Sequence, residues 1–280
     1  MILITKEKLR EWHACEDGYA WFLRNFPEGE AEYQIVLNAL AEDDRPNDAR
    51  WLLGKAGPDH ISVIEVDAIV DCKHFFVAGT LIIKAGANIT GQLLAGGSIE
   101  AGDGIKAGWG IEAGDSINAG GGIEAGESIE AGWGIKAGEG IEAAEGIEAG
   151  GGIKAGDGIK AGWGIEAGDS IKAGEGIEAG GGIKAGDSIN AGWGIEAGWG
   201  IEAGWGIEAG GGIKAGGGIK AGGGIKAGGG IKAGERIEAG EGFAIFAGLR
   251  IKILEWSTRA IVTAKTKPIN LISGYWKESQ

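Results

Sequence analysis

Proline is scarce in this chain, four residues in 280, and so are cysteine at two, histidine at three and methionine at one. A collagen-like coil needs abundant proline beside its glycine, so the low proline count excludes it. The cysteines, Cys15 and Cys72, stand in no CxxC motif or Cys/His cluster. That argues against a metal site and a disulfide framework, and it fits two inert thiols in a reducing compartment. No apolar run approaches the roughly 18 residues of a membrane span, and the opening MILIT is too short for a secretory leader. The expectation is a cytoplasmic protein without a membrane partner. Basic residues are also short, 26 against 40 acidic, for a net charge of −14. Such a balance disfavours direct binding to nucleic acid phosphates or an anionic membrane.

What abounds is glycine, 60 residues, beside 44% hydrophobic residues. Disordered chains are poor in apolar side chains, so this glycine belongs to a repeat. From Ile99 to Gly242 the sequence is 24 copies of a hexapeptide such as Ile111-Glu112-Ala113-Gly114-Asp115-Ser116. Isoleucine fills the first position and alanine the third in all 24; glycine fills the fourth in all but one, where Ala144 stands. The second position holds 12 Glu, 10 Lys and 2 Asn, the fifth Gly, Asp, Glu or Trp, and the sixth mostly Gly.

Isoleucine and alanine two apart share one side of an extended strand, and the charged residue between them takes the other. Glycines then free the corner from side chains and permit positive φ. A strand of three residues and a corner of three make a parallel β-solenoid, stacked at about 4.8 Å, with about 2 kcal/mol from each buried isoleucine. Three hexapeptides per coil give a triangular prism of 18-residue coils; two give a flattened sandwich. The triangular form is expected, because Gly-x-Gly makes its corner more easily than a full reversal. Stacked second-position charges do not discriminate between the two forms.

The flanks differ. Residues 1–60 read as a small helical domain, with Tyr33, Val36, Leu37 and Leu40 spaced for one helix face and a further helix from Asn47 to Leu53, stopped by Gly54 and Gly57. Residues 61–98 read as irregular first coils, 99–242 as the regular solenoid, and 243–280 as bulkier β structure. Open solenoid ends invite aggregation, so the helical and C-terminal segments are assigned as caps.

Candidate chemistry is sparse. His13, His60 and His74 all precede the repeat, and no loop interrupts it, which leaves nowhere for the inter-coil histidine of an acyltransferase. Only five of 24 fifth positions are Asp, too few for a calcium array, and no threonine rank offers ice binding. No catalytic residue, cofactor or metal is expected. The surface candidates are Trp109, Trp133, Trp163, Trp193, Trp199 and Trp205, all at the corner position, where indoles can bind a protein or glycan or simply cover glycine. Trp133, Trp163 and Trp193 are 30 apart, a spacing that divides into neither coil length and reads as gene duplication.

Charge is uneven along the chain: −5 over residues 1–60, −12 over the repeat and +4 over 243–280. The expected role is a non-enzymatic structural or scaffolding solenoid, with self-association or an unknown protein as partner. A Trp-based binding module and an acidic DNA mimic are the alternatives. The hexapeptides resemble those of left-handed β-helices and, more loosely, bactofilin-type proteins, although here Ala follows Ile by two instead of preceding it. The segment Cys15-Glu16-Asp17-Gly18-Tyr19-Ala20-Trp21-Phe22 with Phe26-Pro27-Glu28-Gly29 resembles helical leaders of bacterial and phage repeat proteins, which implies no activity.

Overall fold

A computed structural model describes residues 2–279, the side chain of Asp71 excepted. In the repeat, each Ile-x-Ala tripeptide is a strand, for example Ile111–Ala113, Ile117–Ala119 and Ile123–Ala125. Each pairs in parallel with the strand 18 residues away, isoleucine on isoleucine and alanine on alanine. Three hexapeptides therefore complete one coil, the triangular form of the two considered.

The coils build three parallel sheets of 12, 12 and 10 strands. Face I runs from Val63–Val66 to Leu271–Ser273, face II from Ile69–Cys72 to Tyr275–Glu278, and face III from Phe75–Val77 to Ile237–Glu238. Twelve strands at about 4.8 Å give a rod of roughly 50 Å. Its axis is filled by the isoleucine columns, none of whose 24 repeat members is more than 3% exposed. A lone coil could bury none of this, so stability resides in the stack.

The corners are ladders too. Trp133 N–H donates to the Asp115 carbonyl at 2.9 Å, and Gly114 N–H to the Ala95 carbonyl at 3.0 Å, so successive corners bond one coil to the next. Here the physical reason for glycine differs from the expectation: from Gly102 to Gly240 no repeat glycine has a positive φ. What matters is close approach. A Cβ on Gly168, at the fourth position, would come under 3.0 Å from the Gly150 carbonyl oxygen, whereas one on Gly164, at the sixth, would stand 3.4 Å from the Gly182 oxygen. That is why the fourth position is glycine and the sixth admits serine. Ala144 shows that the backbone can yield once.

The helical region has four helices, α1 (Lys6–Glu11), α2 (Glu16–Asn25), α3 (Tyr33–Glu42) and α4 (Pro46–Ala56). Thr5 caps α1 by accepting from Lys8 N–H at 3.3 Å, and the Cys15 thiol sulfur does the same for α2 from Gly18 N–H. Tyr33, Val36, Leu37 and Leu40 are the buried face of α3, as their spacing predicts. The last helix passes through Gly54 and stops at Gly57, whose φ of 70° a side chain resists. An antiparallel pair, Leu3–Thr5 with Glu30–Glu32, was not foreseen.

These helices lie against the outer side of face III. Phe76 and Leu94 occupy outward positions that hold charge in the repeat, and with Ala78 they join the helical core of Trp21, Phe22, Val36, Leu37 and Leu52. Two apolar residues in place of Glu or Lys thus mark the docking site. At the other end, Ile245–Phe246 and Leu271–Ser273 extend face I, while Ile261–Ala264 and Tyr275–Glu278 extend face II. Face III gains no further strand.

Glycine placement makes a direct prediction. Gly168→Ala should destabilise the rod by roughly 1–3 kcal/mol through overpacking, and Gly164→Ala by clearly less. Chemical denaturation of the two variants checks this; equal losses would mean that backbone freedom, not close approach, governs the corner.

Candidate functional site

Side chains that reach solvent from the repeat come mainly from two positions, the second, on the faces, and the fifth, on the corners, with Arg236 at a sixth position beside them. The second-position residues form rows one coil apart. Face I carries Lys136, Lys154 and Lys172 in succession, flanked by Asn118 and Asn190. Face III carries Glu112, Glu130, Glu148 and Glu166. Elsewhere like and unlike charges mix, with ion pairs at Lys106–Glu124 (2.7 Å), Lys184–Glu166 (2.6 Å) and Lys220–Glu202 (3.1 Å). Exposed pairs like these contribute little, about 0–1 kcal/mol each.

All six candidate tryptophans sit on corners, but they are not equivalent. Trp133, Trp163, Trp193, Trp199 and Trp205 are 62–74% exposed. Each has a glycine one coil later at the same corner (Gly151, Gly181, Gly211, Gly217 and Gly223), whose N–H donates to the tryptophan carbonyl at 2.5–2.7 Å. Each indole therefore borders a bare corner on that side. Trp193, Trp199 and Trp205 lie on the three corners of one coil, so they point in three directions and do not converge on a common cleft.

Trp109 is different, at 38% exposed. Its ring meets His74 edge-on with centroids 5.3 Å apart, and Lys73 Nζ lies 6.0 Å from its centre. It belongs to the seam between helices and rod. There His74, its side chain wholly buried, places Nε2 2.7 Å from Asp44 Oδ1, while its Nδ1 accepts from Gln92 N–H at 3.0 Å. Those partners fix the neutral tautomer that carries its proton on Nε2. Lys73 and His74 hold Asp44 below the usual carboxylate range. Gln92 Nε2 donates to Glu112 at 2.9 Å, and Arg50 of α4 binds the same carboxylate through both Nε and Nη2. Gln34 of α3 bridges the Phe76 carbonyl and Ala78 N–H at 2.7 and 2.9 Å. Sequence reasoning missed this seam; its one legible signal was Phe76 and Leu94 at positions otherwise charged.

Cys15 and Cys72 are free, and burial pushes the Cys72 thiol up. Among the described residues no group of three or more His, Cys, Asp or Glu side chains could hold a metal, and no helix is long and apolar enough to cross a membrane.

Residues 1–57 match the family model described as the YdhT N-terminal domain. The match ends as α4 gives way to the solenoid, so this YdhT-like domain coincides with the four-helix region, about one fifth of the chain. No curated protein and no solved structure matches the chain.

Crowded carboxylates beyond Arg50 have a pH consequence. Burial, then Glu112 and Glu148, push Glu130 up, with Arg50 opposing. A carboxyl raised in the folded state costs nothing while protonated, and it takes stability away as pH rises through its folded-state value. Glu130→Gln should therefore raise the melting midpoint at neutral pH by about 1 °C, the scale of one like-charge contact, and leave it unchanged below the carboxylate range. Thermal melts at both pH values test this; a gain confined to acid pH would reverse the sign.

Proposed function

We propose that the protein is a non-enzymatic scaffold of the cytoplasm: a stiff β-solenoid that holds its YdhT-like helical domain at one end and spaces it from whatever the rest of the rod meets. The observation that carries this reading is the uninterrupted ladder. From the first coil to Ile237 the repeat saturates its own backbone and core, inserts no loop, and directs outward only short rows of charge and isolated indoles. Such a body suits length and rigidity. The helical domain, by contrast, is fixed through a specific buried seam, which gives it a defined orientation on the rod.

A second reading has its own support: five tryptophans at 62–74% exposure are costly to leave in water, and a protein or glycan that stacks on a corner would cover one. The acidic DNA mimic is weaker, because the lysine row on face I breaks any continuous negative surface.

Deletion of a coil separates the two readings. Removal of residues 135–152, one 18-residue period without tryptophan, should leave a folded rod shorter by about 4.8 Å with the same partners in pull-downs from the native host. Under the scaffold reading, replacing Trp193, Trp199 and Trp205 together with Gly changes those partners no more than the deletion does. Partners lost with the tryptophans alone would transfer the function to the corners.

A further inference from the structure

All strands of the solenoid faces run parallel to their neighbours, so the rod has two unlike ends. At the first, Val63–Val66, Ile69–Cys72 and Phe75–Val77 are the terminal strands of their sheets, each paired on one side only. The helices do not seal this end completely: they occupy the outer side of face III, and although inward Ile69 and Val77 are buried, inward Ile64, Val66, Cys72 and Phe75 are only partly so, where the repeat isoleucines below are closed off. Beside them Ile61, Val63 and Val70 are 87%, 56% and 66% exposed. At the far end, Leu271–Ser273 and Tyr275–Glu278 also pair on one side only, and Leu254, Ile269 and Ile272 are 95%, 99% and 67% exposed.

We propose that the occupant of the first-coil edge is the last coil of a second copy of this chain, docked head to tail, with Leu271–Ser273 and Tyr275–Glu278 adding to Val63–Val66 and Ile69–Cys72. The proposal rests on the scaffold reading and gives that scaffold its means of extension. Three observations select this occupant. Strand polarity is one: head-to-tail stacking continues the parallel pairing of faces I and II, whereas head-to-head contact would have to switch to antiparallel. Charge is another. At the first-coil end Glu65 and Asp67 outnumber the one lysine, Lys84, that pairs with both, and that end lies beside a helical region of −5, while residues 243–280 carry +4. Two first-coil ends repel, and so do two last-coil ends; unlike ends attract. The third is apolar area exposed at both ends, which an open edge otherwise leaves as a liability. A contact between unlike ends does not close on itself, so it generates linear chains of rods.

Sedimentation of the intact chain across a range of concentrations, with negative-stain microscopy, is the test. The weight-average mass should at least double as concentration rises and fall back at high salt, with rods in multiples of the single length. Val70→Lys sets a positive charge against the basic tail, and Ile272→Glu sets a negative charge against the acidic first coil; both sites are exposed, so the fold survives. Each variant alone should stay monomeric, while an equal mixture should form dimers and nothing larger, because one good edge of each kind remains. An intact chain that stays monomeric at low salt, or either variant assembling alone, overturns the proposal. Monomeric rods that keep their partner set in the coil-deletion experiment would overturn head-to-tail docking and leave the scaffold reading intact.

Discussion

Backbone packed directly on backbone at the fourth position of all but one hexapeptide is the constraint from which the rest of the rod follows. The corner stacks in register this closely where no Cβ intervenes, as between Gly168 and Gly150, and Ala144 is the one place in the repeat where a Cβ is accommodated. In-register corners bring isoleucine over isoleucine and alanine over alanine on all three faces, which closes the core to water. Large and small side chains then alternate around the axis, and no histidine or carboxylate of the repeat points inward. The interior has nothing with which to do chemistry, and the exterior inherits the whole of recognition.

That exterior is permissive because it bears little load. Lysine and glutamate interchange at the second position since an exposed pair adds or removes only about 0–1 kcal/mol. Like charges can therefore accumulate, as along Lys136–Lys172 on face I and Glu112–Glu166 on face III, without unfolding the stack. Only where a second element must dock does the position change character. Phe76 and Leu94 give the helices an apolar floor, and Glu112 becomes the shared acceptor of Arg50 and Gln92. One carboxylate row thus begins as structure at Glu112 and continues as unpaired surface at Glu130, whose ionisation the same neighbours oppose.

The solenoid, its inward and outward residues and the corner position of all six tryptophans were legible in the sequence because a two-residue alternation leaves a strand no other way to face. The 18-residue coil was legible only as a preference, since stacked charges balance under either count. The role of glycine was misassigned: composition shows where a Cβ is missing, not whether the backbone or its neighbour requires the absence, and the repeat glycines prove to answer the neighbour. The seam was hidden for a related reason. His74, Asp44, Gln92 and Arg50 are distant in sequence and carry no motif, and they meet only because the helices turn back onto face III instead of lying across the end of the core.

The mismatch between two periods bears on what the tryptophans can do. A 30-residue duplication on an 18-residue coil advances each copy by one full coil and two further corners, so Trp133 falls between faces III and I, Trp163 between II and III, and Trp193 between I and II. Duplication thereby sets these three indoles on three different corners. With the other copies included, Trp109, Trp163 and Trp199 share the corner between faces II and III, three and two coils apart, Trp133 and Trp205 share the corner between III and I four coils apart, and Trp193 stands alone between I and II. A site for one extended ligand would need an unbroken column, and at the II–III corner Glu127, Glu145 and Gly181 interrupt the indoles. The arrangement fits a rod that grew by duplication, with every indole but the seam residue Trp109 followed one coil on by a glycine that leaves room beside it.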